Sequence, residues 1–149
     1  MKIFIGADHA VFELKEKLIS FLKELGHEVV DKGAFEYDKE DDYPDFVKPV
    51  AQAVLVNPDA KGIVIGGSGQ GEAICANKFK NVRAMEYYAP SRGEVSIIKD
   101  SRSHNDSNIL SLGARFLEAS EAMEAVKLWL ETPFSGDERH VRRLKKLDE

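Results

Sequence analysis

Gly62-Ile63-Val64-Ile65-Gly66-Gly67-Ser68-Gly69-Gln70-Gly71-Glu72 runs from an apolar stretch into a glycine-rich turn, and Ala73-Ile74-Cys75-Ala76-Asn77-Lys78 continues it with helix-like composition. Residues 62–65 are short, continuous and β-branched, the pattern of a strand buried on both faces. Four glycines within residues 66–71 let backbone N–H groups approach an oxyanion closely, and a helix start behind them favours negative charge. Glu72 at that spot would repel a phosphate. It suits a base placed beside an oxyanion hole, so the stretch points to proton transfer on a small substrate. The turn lacks the Gly-Lys-Ser/Thr ending of a P-loop and the G-x-G-x-x-G spacing of a dinucleotide fingerprint. The plainer alternative is a tight strand-to-helix turn in which Glu72 is a first-turn residue favoured by the helix dipole.

The same alternation extends outward on both sides. Residues 3–5 read as a buried strand, and Val11, Leu14, Leu18, Phe21, Leu22 and Leu25 follow at helical spacing until Gly26 stops the helix. Residues 27–31 read as a second strand. The acidic stretch 36–42 has no periodicity and reads as an exposed loop, ending where Tyr43-Pro44-Asp45 opens a helix carrying Val47, Val50, Ala51 and Val54. A fourth strand is expected over 82–87, a helix around 92–99 and a fifth strand over 108–112. Ser120 is the expected N-cap of a helix over 121–130 with Ala122, Val126 and Trp129 on its inner face. Beyond Pro133 and Gly136 lies a basic helical segment. No repeat or linker divides the chain, so residues 1–149 are expected to form a single domain. Strands alternating with helices imply an α/β fold: a five-stranded parallel sheet in three layers, with a C-terminal helix. Such sheets bind ligands beyond the carboxyl ends of their strands.

Bulk composition narrows the function. The chain has 149 residues, 43% hydrophobic and 32% charged, with a net charge of -5. That mild acidity argues against nucleic-acid binding, which rests on neutralising phosphates. No apolar run approaches the ~20 residues of a membrane span, and strand-like residues begin at Lys2 with no leader pattern before them. A lone cysteine, Cys75, rules out an internal disulfide and suits a reducing compartment, so a cytoplasmic location is expected. Cys75 reads as a buried helix residue rather than a nucleophile. Four histidines and one cysteine show no metal-ligand spacing, and no metal is expected.

Four further groups carry chemistry. Asp8-His9 directly follows the first strand; Asp8 either caps the next helix or meets substrate together with His9. Gly113 and Arg115 follow the fifth strand. His104-Asn105 precedes that strand, at the edge opposite its own chain's site, so these residues are either structural or complete the site of a second subunit. Arg139 and Arg143 are four apart on a helix face, as two guanidiniums gripping one phosphate would be, with His140 between them. A solvated charged tail is the alternative there, and Lys145 and Lys146 read as such a tail.

Together these residues resemble the ribose-5-phosphate isomerase type B family, which also contains galactose-6-phosphate and allose-6-phosphate isomerases. The resemblance rests on Asp8-His9-Ala10 with Phe12-Glu13-Leu14-Lys15, on Asp42-Tyr43-Pro44-Asp45, and on the loop 66–71 with Ala76-Asn77-Lys78. It continues through Ser103-His104-Asn105-Asp106-Ser107-Asn108-Ile109-Leu110, Leu112-Gly113-Ala114-Arg115 and Arg139-His140-Val141-Arg142-Arg143, in family order across nearly the whole chain. It implies a Rossmann-like fold and a homodimer, or a tetramer, with active sites shared between subunits. It further implies aldose–ketose conversion of a phosphosugar through a cis-enediolate, in the pentose phosphate pathway, without metal or organic cofactor. By resemblance His104 helps open the furanose ring and Asp8 contacts the sugar hydroxyls. His9, Arg115, Arg139, His140 and Arg143 bind or border the phosphate, Tyr43 lines the sugar pocket, and Asn105 beside His104 is expected to bind substrate. Glu72 is then the general base, with Ser68 and the backbone of Gly67, Gly69 and Gly71 holding the oxyanion.

Three departures mark this chain. Gly66 stands where many members carry a catalytic cysteine, and Glu72 matches a subgroup that has a Gly-Gly-Ser-Gly loop followed by glutamate. The segment 133–140 is one residue longer before Arg139-His140 and places Asp137 and Glu138 beside the proposed phosphate site. Met85-Glu86-Tyr87-Tyr88 replaces small apolar residues. Ribose 5-phosphate is the expected substrate. Alternatives are a six-carbon sugar phosphate, a non-catalytic sugar-phosphate or nucleotide binding module, and a subunit active only with a related chain.

Overall fold

A computed structural model of the chain describes residues 1–88, 95–147 and 149. Its elements in order are β1 (Lys2–Ala7), a short 3-10 turn (His9–Val11), α1 (Phe12–Glu24), β2 (Glu28–Asp31), α2 (Pro44–Val56) and β3 (Lys61–Gly66). Then follow α3 (Gln70–Ala76), β4 (Ala84–Tyr87), α4 (Val95–Ser103), β5 (Ile109–Gly113), α5 (Ala119–Glu131) and α6 (Glu138–Lys145). The first three residues of the helix expected around 92–99 lie outside the described residues.

All pairings in the sheet are parallel, in the order β2-β1-β3-β5-β4. The strands are apolar throughout because helices cover both faces. On one face α1, α4 and α5 bury Leu18, Leu22, Ile98, Val126 and Trp129 against Ile3, Ile5, Ile63, Ile65, Leu110 and Leu112. On the other, α2 and α3 bury Val47, Val50, Val54 and Ala76 against Phe4, Val64 and Ile109. Each such side chain taken out of water contributes roughly 1.5–3 kcal/mol. The three-layer α/β fold is as the alternation predicts.

Two local expectations change. Helix α5 is capped by Glu118, not Ser120: Glu118 and Glu121 form a reciprocal capping box, with the Glu118 N–H donating to Glu121 Oε2 at 2.7 Å. A carboxylate at N3 that reaches back to the cap N–H outcompetes a serine two residues later. The acidic loop is largely exposed, but Asp41 turns inward and its side chain is only 10% exposed.

Strand order determines where a site forms. β1 has β2 on one side and β3 on the other, so the connections leaving β1 and β3 diverge and open a crevice at their carboxyl ends. Register brings Ala7 level with Ile65, and Gly66 level with Gly113. The residues that follow β1, β3 and β5 therefore emerge side by side.

Candidate active site

The turn after β3 is shaped by close approach. Gly69 has φ +81° and begins α3, a conformation that favours glycine, and its carbonyl accepts the Ser111 hydroxyl at 2.6 Å. Ser68 Oγ accepts the Gln70 N–H at 3.3 Å, leaving the Ser68 hydroxyl proton free to donate. A side-chain carbon at Gly67 would meet the Arg115 guanidinium at 2.9 Å, and one at Gly71 would meet the Tyr43 ring at 2.8 Å. Arg115 and Tyr43 thus lie directly on the loop, and the Arg115 N–H also donates to the Gly67 carbonyl at 3.0 Å.

Glu72 lies in the first turn of α3 with 5% of its surface exposed. Its carboxylate occupies the space directly over Gly66, where any side chain at position 66 would stand. Burial raises its pKa above the ordinary value; the nearby charges of Asp8 and Glu86 raise it further, while a hydrogen bond from its own backbone N–H opposes them. A carboxylate so placed is a stronger base than one in water.

Asp8 fills the capping role that one reading of the sequence gave it. Its Oδ1 accepts the Ala10 N–H at 3.0 Å and caps the 3-10 turn, while Oδ2 has no hydrogen-bond partner among the described residues. Its pKa too is raised, chiefly by burial. His9 donates its backbone N–H to Asp41 Oδ2 at 3.1 Å and pairs through Nδ1 with Asp41 Oδ1 at 2.5 Å. Asp8, His9, Tyr43, the 67–71 loop, Glu72 and Arg115 therefore gather at one edge of the sheet.

The remaining predicted residues gather at the opposite edge. Helix α4 ends at Ser103, so His104 and Asn105 stand at the amino end of β5. Arg102 fixes this turn: it bonds Asp106 Oδ1 at 2.9 Å, the Ser107 carbonyl at 2.5 Å and the Thr132 carbonyl at 3.2 Å. Buried Trp129 donates to Ser107 Oγ at 2.8 Å from beneath. The His104 ring stacks on His140 of α6, centroids 4.4 Å apart and planes within 8°. His140 is 4% exposed, and Arg139 Nε donates to its Nε2 at 3.2 Å. Burial, then the neighbouring His104 and Arg139, push its pKa down, so it is a neutral ring beneath His104. Arg139 and Arg143 extend from the same helix into solvent. Along β5 the two edges are on the order of 15 Å apart, too far for one small substrate to touch both within a single chain.

Sequence reading missed three contributors. Asp41 lay within an unpatterned acidic loop. Glu86 stood in a strand, and its Oε1 is buried without a hydrogen-bond partner among the described residues. Lys15 occupied a helical core position; it is fully buried, bonding Asp31 Oδ2 at 2.7 Å and the Ala34 carbonyl at 2.6 Å, which anchors the start of the loop bearing Asp41. A charged residue at a helix position that periodicity makes internal was the available signal for Lys15. Cys75 is half-buried on α3, its thiol pKa pushed up by burial. Among the described residues no group of three or more His, Cys, Asp or Glu side chains is arranged to hold a metal ion, and no helix is long and apolar enough to cross a membrane.

Known proteins share this fold. Residues 3–147 match the family described as Ribose/Galactose Isomerase. A ribose-5-phosphate isomerase B of Mycolicibacterium paratuberculosis is 39% identical over 144 residues, covering 97% of this chain and 87% of its own length. The crystal structure of a ribose 5-phosphate isomerase from Thermotoga maritima superposes with a TM-score of 0.89 at 41% identity, covering 99% of this chain and 97% of that one. That of ribose-5-phosphate isomerase B from Mycoplasma genitalium, with bound ribulose-5-phosphate, gives 0.90 at 37% identity over 98% and 93% of the two chains. Fold and whole-length similarity agree, and the chain belongs to the ribose/galactose isomerase family.

Proposed function

We propose that the protein interconverts ribose 5-phosphate and ribulose 5-phosphate with Glu72 as the base. The observation that carries this reading is the Glu72 carboxylate, buried over Gly66 in the first turn of the helix that follows the glycine loop. In the open-chain aldose Glu72 removes the C2 proton, and the electron pair moves through C1 so that negative charge collects on O1. The loop amides and Ser68 stabilise that oxygen where the charge develops. O1 takes a proton as O2 gives one up, and Glu72 returns its proton to C1. C1 is reduced and C2 oxidised by the same electron pair, so no external redox partner is needed.

Ring opening falls to His104 and phosphate anchoring to Arg139 and Arg143, contributed by a second copy of the chain. The placement of these residues at the far edge supports a homodimer with shared sites, since each chain carries both halves but cannot use them together. A cytoplasmic location fits the single half-buried thiol. The test mixes Glu72→Gln subunits with His104→Ala subunits, each inactive alone. Recovered turnover of ribose 5-phosphate, toward a quarter of wild type as subunits exchange at random, is expected. No recovery with exchange confirmed would refute the shared site, and turnover by Glu72→Gln alone would refute the base.

A further inference from the structure

His9 and Asp41 are tied more tightly than a surface pair. One Asp41 carboxylate takes both the backbone N–H and the ring Nδ1–H of His9, across thirty-two residues of sequence. Both side chains are largely enclosed, 19% and 10% exposed. The Tyr37 ring packs edge-on against the imidazole, centroids 5.1 Å apart at 82°. Main chain, ring plane and tautomer of His9 are thus fixed by one loop. Nε2 has no hydrogen-bond partner among the described residues, and the ring lines a cleft shared with Arg115.

Resting on the isomerase reading above, we propose that Asp41 is a positioning residue that holds His9 as an oriented imidazolium, presenting Nε2–H to the phosphate of the substrate. A phosphomonoester dianion needs donors that stay charged at neutral pH, and an imidazole with an ordinary pKa near 6.5 is mostly neutral there. A carboxylate on Nδ1 favours the protonated ring. Asp8 from the same turn and Asp38 from the loop act in the same direction, and the Asp41 hydrogen bond is the largest of these effects. The cleft also receives Glu13 and Lys17 from α1, Glu36 from the loop, and Arg115 and Glu118 from the segment after β5. Of these, Arg115 lies close enough to Asp8 to lower its pKa and supplies the second fixed cation.

Asp41→Asn keeps a hydrogen-bond acceptor at the same place and removes the charge. NMR of labelled histidine, read on the full-length protein with and without inorganic phosphate, follows His9 directly. In wild type, phosphate is expected to move the His9 ring resonances, and in Asp41→Asn the His9 titration midpoint falls toward the ordinary value. Phosphate affinity then drops about tenfold at pH 7.5 and is nearly unchanged at pH 5.5, where the ring is charged in both proteins. For ribose 5-phosphate, KM rises with little change in kcat. Adding Asp41→Asn to His9→Asn costs no further affinity.

An equal loss of affinity at both pH values, an unchanged His9 midpoint, or full additivity with His9→Asn would overturn the proposal and leave Asp41 a loop tether. Wild-type His9 resonances indifferent to phosphate would overturn it as well. Turnover of ribose 5-phosphate by the wild-type protein is a separate reading, so loss of the isomerase assignment is distinguishable from loss of this one.

Discussion

A side chain at position 66 and the Glu72 carboxylate compete for one space, and Gly66→Ala makes that competition measurable. The added methyl would lie under 3.0 Å from Cδ and both carboxylate oxygens of Glu72. The nearest of these must retreat by about 1 Å or more to restore ordinary contact. Displacement on that scale costs on the order of 10²-fold in rate for a positioned catalytic group, and complete loss of a general base costs ~10²–10⁴-fold. Stability should suffer less: overpacking costs ~1–3 kcal/mol, and release of a desolvated carboxylate toward solvent opposes it. Ketose formation from ribose 5-phosphate at saturation is expected to fall at least about 10²-fold, with cooperative unfolding retained. Gly66→Ala combined with Glu72→Ala should be no slower than Glu72→Ala alone, because both changes disable one group. Gly66→Cys combined with Glu72→Ala places a thiol in the vacated space and should exceed Glu72→Ala in rate. A kcat for Gly66→Ala within about threefold of wild type would refute the assignment of the base to this carboxylate, since its seat would then be dispensable.

Four other outcomes follow from the same structure. Because burial and like charges raise the Glu72 pKa, the acidic limb of kcat/KM should lie above the ordinary carboxylate value of 4.5, with activity lost as pH falls through it. Glu86→Gln removes one of those charges and should move that limb to lower pH. Glu86 itself has a folded pKa raised by burial, so its ionisation opposes folding. Thermal stability of wild type should decline as pH rises from about 4.5 through the raised value, and the variant should show a flatter profile in melts across pH. Lys15→Met strands the inward side of Asp31 and the Ala34 carbonyl, and should cost about 3 kcal/mol in denaturant titrations with an unchanged m-value.

The order of strands and helices, the buried character of β3 and the placement of Glu72 after a glycine turn were all legible in residue order, because they depend on periodicity and on neighbours a few positions apart. So was the amino-end position of His104, which left two readings open, a structural role or the completion of a second subunit's site. Tertiary structure decided what depends on distant partners. Asp41 reaches His9 from a loop with no pattern, Glu118 rather than Ser120 caps α5, and the Glu72 carboxylate stands in the space that glycine leaves at position 66. Composition and spacing carry information about which face of an element is buried. They carry little about which polar atoms meet across the fold, since a hydrogen bond between residues thirty apart depends on the packing of every element between them.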